Sequence, residues 1–158
     1  GNFYFDDAAV YRRNLLANAG FETLTSWTNF PGAGQTQGTN NQSGSYDIKI
    51  SQDTGGNYTD VYQQVPVTPG STYEASVWSN TWSPPPGDSR GQMRLQFYNG
   101  AAPLGSPTNV DSTVGNSWAQ LLTSVTAPAN ATHLRMTLRR AAVGGQTGNF
   151  YFDSAKIR

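Results

Sequence analysis

Three stretches of this chain, residues 72–80, 92–98 and 133–139, alternate apolar and polar side chains one by one. A period of two marks a strand with one face buried, because successive side chains leave a pleated backbone on opposite sides. Tyr73, Ala75 and Val77 make one inward row, Met93, Leu95 and Phe97 a second, and Leu134, Met136 and Leu138 a third. No stretch carries a convincing helical period. Residues 12–17 could form one helical turn, but residues 14–16 read equally well as an opening strand. Gly and Pro clusters at residues 31–38, 55–56, 69–70, 84–87 and 144–145 cut the chain into short pieces, as turns between antiparallel strands do. The expected fold is all-β, an antiparallel β-sandwich of two packed sheets.

The segment GNFYFD occurs at residue 1 and again at residue 148. Between the copies lies one domain's worth of chain. Residues 1–13 therefore read as the closing strand of a preceding tandem module or an N-terminal extension, and residues 14–158 as one sandwich module. Ten basic residues balance ten acidic ones and charged residues make up only 13% of the chain. Such a chain has no general attraction for nucleic acid or an anionic membrane, so neither is an expected partner. There is no cysteine, hence no disulfide and no thiolate metal site. Few charges with much Gly, Asn, Gln, Ser and Thr fit a secreted or cell-surface sheet protein, whose export signal would precede this segment.

Asn14-Leu15-Leu16-Ala17-Asn18-Ala19-Gly20-Phe21-Glu22 followed by Trp27 resembles the opening of the calcium-dependent β-jelly-roll carbohydrate-binding modules of the family 4, 9, 16 and 22 group. Similar matches follow in order. Gly44-Ser45-Tyr46-Asp47-Ile48-Lys49-Ile50 resembles the second strand, Val61-Tyr62-Gln63-Gln64-Val65 and Pro69-Gly70-Ser71-Thr72-Tyr73 the middle, Trp118 the later tryptophan, and Phe150-Tyr151-Phe152-Asp153 the closing strand. The resemblance implies a non-catalytic module that docks an enzyme on a polysaccharide, with a catalytic domain and sister modules elsewhere in the parent chain. It also implies a structural calcium ion, held by the carboxylates of Glu22 and Asp153 with carbonyls around Gly20 and Gly44. Calcium chemistry agrees, since the ion takes six to eight oxygens and Gly-rich backbone exposes carbonyls. The plainer alternative leaves Glu22 in a turn and Asp153 on a strand surface.

Opposite the inward rows lie Glu74, Ser76, Trp78 and Asn80, then Gln92, Arg94, Gln96 and Tyr98, then His133, Arg135, Thr137 and Arg139. Sugars need this mixture, because their C–H faces stack on aromatic rings while their hydroxyls need planar donors and acceptors. The candidate glycan face is thus Glu74, Trp78, Gln92, Arg94, Gln96, Tyr98, Arg135 and Arg139, with Trp78 and Gln96 expected to matter most. Trp82 begins a Pro-rich loop that walls the groove or plugs the sheet edge. Trp27 lines the groove or pins the first loop to the core, and Trp118 is assigned to structure. The plain alternative is a solvated sheet face, with Glu74 paired to Arg94 or Arg135.

Two competing functions follow. A polysaccharide lyase or hydrolase lacks support, for His133 is the sole histidine and only Glu74 offers a carboxyl on the candidate face. A repeated spacer or adhesion module of a surface or fibre protein would bury Trp78, Trp82 and Tyr98 instead of exposing them. The sugar itself is open. Four arginines suit an acidic glycan, whereas the family resemblance points to a neutral β-glucan, xylan or mannan-like chain.

Overall fold

The computed structural model describes residues 13–23, 25–29, 35–51, 60–82, 90–112, 117–141 and 149–158, and these form ten strands and no helix. They are β1 (Thr28–Asn29), β2 (Gln35–Gly38), β3 (Asp47–Ser51), β4 (Val61–Pro66), β5 (Thr72–Trp82), β6 (Arg90–Asn99), β7 (Ala102–Asp111), β8 (Ala119–Thr126), β9 (His133–Ala141) and β10 (Asn149–Ile157). The first GNFYFD copy lies outside the described residues apart from Arg13 at the end of its segment.

Two five-stranded sheets result, ordered β1-β4-β9-β6-β7 and β2-β3-β10-β5-β8, with every pairing antiparallel. The inward rows meet between them. Ala75 and Val77 of β5, Met93 and Leu95 of β6, and Leu134, Met136 and Leu138 of β9 are buried, while Tyr73 and Phe97 pack against this core half-buried. Ile48, Ile50, Phe150 and Phe152 complete it. Each large side chain fully buried there contributes about 1.5–3 kcal/mol through removal of apolar surface from water.

The three alternating runs do not share one sheet. The strands β6 and β9 are neighbours, whereas β5 lies in the opposite sheet between β10 and β8. Alternation fixes which residues share a strand face, but the sheet a strand joins is decided by pairings far apart in sequence. The outward row of β5 therefore faces away from the outward rows of β6 and β9.

The opening segment is sewn to the end of the chain without forming a strand. Leu15 N donates to the Ile157 carbonyl at 2.8 Å and Ala155 N to the Ala19 carbonyl at 2.8 Å. Asn14 bridges the same stretch, donating through Nδ2 to the Ala155 carbonyl and accepting from Ile157 N.

Candidate functional site

The outer face of the first sheet carries an aromatic and cationic cluster. Val61 and Val65 of β4 are buried, so the intervening Tyr62 turns outward, where it stands level with Thr137 of β9. Tyr98 projects from β6 beside His133, and Gln96 beside Arg135. Arg135 fills the gap between the two tyrosines, its guanidinium carbon 4.3 Å from the Tyr62 ring centre and 4.4 Å from that of Tyr98. Two rings this close hold a guanidinium in place by cation–π attraction.

Beside this stack is a cavity of about 210 Å³ lined by Asp60, Arg94, Gln96, Tyr98, Arg135 and Thr137. Asp60 immediately precedes β4 and meets Arg139, Nε to Oδ2, at 3.9 Å. Burial pushes the Asp60 carboxyl above its usual range, and the charges of Arg139 and Arg94 pull it back down. Gln96 is buried on the floor and donates its amide to the Leu104 carbonyl at 2.8 Å, across the irregularity where β6 and β7 shift register. Gln92 donates to Asp111 of β7 at 2.7 Å.

Of the residues singled out from sequence, Gln92, Arg94, Gln96, Tyr98, Arg135 and Arg139 come together on this face. Glu74 and Trp78 do not. They project from β5 on the outer face of the other sheet, where Glu74 binds Arg158, its Oε1 accepting from Arg158 Nε at 2.9 Å, and Trp78 is half-buried level with Gln120 and Asp153. Trp82 closes β5 in that same sheet. Trp27 is a core residue, its ring 4.9 Å from that of Phe21 and its indole N–H donating to the Asn18 carbonyl at 3.2 Å. Tyr62 and Asp60 were missed, although the Val61/Val65 spacing marks Tyr62 as outward.

A second polar centre lies on the outer side of the other sheet, where residues 41–46 wrap the closing strand. Glu22 accepts from Ser45 N at 3.0 Å and from Tyr46 N at 3.4 Å. Asp153 accepts from Ser43 N at 2.7 Å, Gln42 N at 2.9 Å and Ser154 N at 2.5 Å. Gly44 has φ +65°, and a Cβ there would lie 2.0 Å from Glu22 Oε1, so a side chain fits neither the backbone nor the space. Gly20 immediately follows the Ala19 carbonyl that anchors Ala155. Glu22, Gly44 and Asp153 thus converge on one loop.

Asp47 at the start of β3 was not anticipated there. It is fully buried, and among the described residues no donor meets hydrogen-bond geometry with either carboxylate oxygen, although backbone amides lie near. Gly38 of the paired strand leaves it room, since a Cβ at Gly38 would lie 1.8 Å from Oδ1. Burial first, and then the neighbouring charge of Asp153, push Asp47 from 3.8 up to about 6, against a smaller opposing pull from backbone amides of Asn40, Gly38 and Asp47 itself. Burial also raises Asp153, with the amides of Ser43, Ser154 and Gln42 opposing it. Among the described residues, no basic side chain is hydrogen-bonded to either carboxyl.

A family model described as "Carbohydrate binding domain", of the 4/9 type, matches residues 13–141. The chain belongs to the carbohydrate-binding domains. These modules are non-catalytic, and the expected jelly-roll sandwich is the fold observed. No curated protein matches the sequence. Among solved structures, "Family 16 Carbohydrate Binding Module-2" is 17% identical with a TM-score of 0.73, over 92% of this chain and 99% of that one. The enzymatically active domain of bacteriophage CBA120 tailspike protein 4 is 15% identical with a TM-score of 0.72, over 91% of this module but only 21% of that chain. The CBM22-1–GH10 modules of Clostridium thermocellum endo-1,4-β-D-xylanase 10B, complexed with xylohexaose, are 14% identical with a TM-score of 0.66, over 91% of this chain and 27% of that one. This module thus spans about a fifth to a quarter of those two longer chains.

Proposed function

We propose that this carbohydrate-binding module grips a glycan chain on the outer face of the β1-β4-β9-β6-β7 sheet and so docks a polysaccharide-active enzyme on its substrate. The observation that carries the proposal is the Tyr62–Arg135–Tyr98 stack at the rim of a pocket lined with polar side chains. Flat rings for the sugar's C–H faces stand beside amide, guanidinium and carboxylate groups for its hydroxyls. A catalytic partner in the parent chain is supported by the tailspike and the xylanase, where this fold is a fraction of a longer enzymatic protein. Action on polysaccharide supports a secreted or cell-surface location.

The proposal extends to a structural calcium ion at the closing strand. No group of three or more carboxylate or histidine side chains that could hold a metal occurs among the described residues, so backbone carbonyls would supply most of the ligands. The donor set nevertheless fits a cation. Asp47 presents two buried, unpartnered oxygens beside Asp153, and hard oxygens carrying uncompensated charge are what calcium takes. Asp153 is the shared member of this pair and of the Glu22–Gly44 set. Glu22, in contrast, already has amide donors from Ser45 and Tyr46, so its role is at least partly to hold the loop.

Binding of the wild-type module to an array of plant and microbial polysaccharides, followed by calorimetry on the hits, tests the main proposal. Saturable binding that Tyr98→Ala removes while the melting temperature holds supports it. Wild-type binding that survives both Tyr62→Ala and Tyr98→Ala rejects this face.

A further inference from the structure

Charge on the proposed binding face is uneven although the chain as a whole is neutral. Among the described residues, Arg90, Arg94, Arg135 and Arg139 project from β6 and β9 on this side, against Asp60 and Asp111. Asp111 lies at the β7 edge, where it is bound to Gln92, so among the described residues Asp60 is the one carboxylate that lines the pocket, beside Arg94 and Arg135 and with Arg139 3.9 Å from it.

The hydrogen-bond inventory is equally uneven. Among the described residues, the Nε of Arg135 and the Nε of Arg139 are both buried without a hydrogen-bond partner, the 3.9 Å approach to Asp60 being ion-pair distance only. Asp60 Oδ1 is buried and unpartnered as well. Buried guanidinium donors left empty are costly, and the acceptor that best matches their fork is a carboxylate or another oxyanion. A neutral hydroxyl offers them one uncharged oxygen. Two tyrosine rings within 4.4 Å hold the Arg135 guanidinium in place, and an acceptor pairs with it bidentately along its edge.

Resting on the proposed binding face, we infer that this pocket is a subsite for an anionic sugar residue, whose carboxylate or sulfate oxygens accept from Arg135 in its lining and from Arg139, which adjoins it beside Asp60, while Asp60 accepts from a ring hydroxyl. The ligand class is an acidic polysaccharide. Donors and acceptor together define one charged sugar unit, because the oxyanion meets the arginines and the adjacent hydroxyl meets the single carboxylate.

The test is affinity electrophoresis in gels holding polygalacturonate, alginate, glucuronoxylan or hyaluronan, each beside its carboxyl-reduced neutral counterpart, and dextran sulfate beside dextran. The expected result is retardation at least about tenfold stronger for one acidic polymer than for its neutral partner, reduced about tenfold by Arg135→Ala and by Arg139→Gln, and weakened by salt. The carboxylate and sulfate pairs report which oxyanion is taken. Asp60→Ala separates a built subsite from bulk charge attraction, since loss of the hydroxyl acceptor weakens binding whereas simple attraction would be strengthened by removing a negative charge. Equal retardation by acidic and neutral partners, or tighter binding by Asp60→Ala, overturns the acidic subsite and leaves glycan binding standing. No retardation by any polymer overturns both.

Discussion

Asp47→Asn should stabilise the calcium-free module at neutral pH, an unusual outcome for a substitution at a fully buried polar residue. Asp47 titrates near 6 in the folded chain against 3.8 as its ordinary value. A folded pKa above the unfolded one means that the folded state holds the proton more tightly. Folding therefore carries no penalty from this group below about pH 4, accumulates one as pH rises toward 6, and bears it in full above that. Two pKa units correspond to at most about 3 kcal/mol, and relaxation around the charge makes about 1–2 kcal/mol the working figure. At about 2–4 °C per kcal/mol for a chain of this size, the variant should melt several degrees above wild type in chelator at pH 7.5. At pH 4 the gap should close, because wild-type Asp47 is then neutral too. Added calcium should reverse the order, since wild type keeps the charged ligand that the variant lacks. Fluorimetric melts of both proteins from pH 4 to 8, in chelator and in calcium, give the answer. A gap independent of pH, or a variant less stable than wild type in chelator at pH 7.5, refutes the reasoning.

Gly44→Ala should cost roughly 2–4 kcal/mol in urea unfolding, from a positive φ imposed on alanine together with displacement of the Glu22 carboxylate from the Ser45 and Tyr46 amides; a loss under about 0.5 kcal/mol would contradict the assigned loop geometry. Trp27→Ala should lower stability by about 3–5 kcal/mol, as truncation of a buried aromatic does, and affect glycan binding only through unfolding. Trp78→Ala should leave glycan affinity within about twofold of wild type, because the residue lies on the opposite sheet, and calorimetry on the folded variant checks this.

The periodicity of the chain made its strands and inward rows legible because alternation is local. Residues 72–80, 92–98 and 133–139 fall within β5, β6 and β9, and their apolar members form the core. Sheet membership was not legible. Glu74 and Trp78 share the polar and aromatic character of the β6 and β9 rows, yet β5 pairs with β10 and β8, a choice made by contacts that no window of sequence contains. Trp27 reads as groove or core from sequence alone, and Phe21 with the Asn18 carbonyl settles it in the core. Asp47 was hidden for a related reason. It alternates with Ile48 and Ile50, which marks it as outward and hence solvated, whereas Gly38, the neighbouring loop and the closing strand bury it. Tyr62, by contrast, could have been found from the buried Val61 and Val65 on either side.

Glycan is proposed to lie on the β4, β9 and β6 face and not on the β5 side. Affinity electrophoresis of wild type, Tyr98→Ala and Trp78→Ala through one panel of neutral and acidic polysaccharide gels tests it most directly. The expected result is that at least one polymer retards wild type and Trp78→Ala alike while Tyr98→Ala runs free. Retardation lost in Trp78→Ala and kept in Tyr98→Ala, with both variants folded, would contradict it.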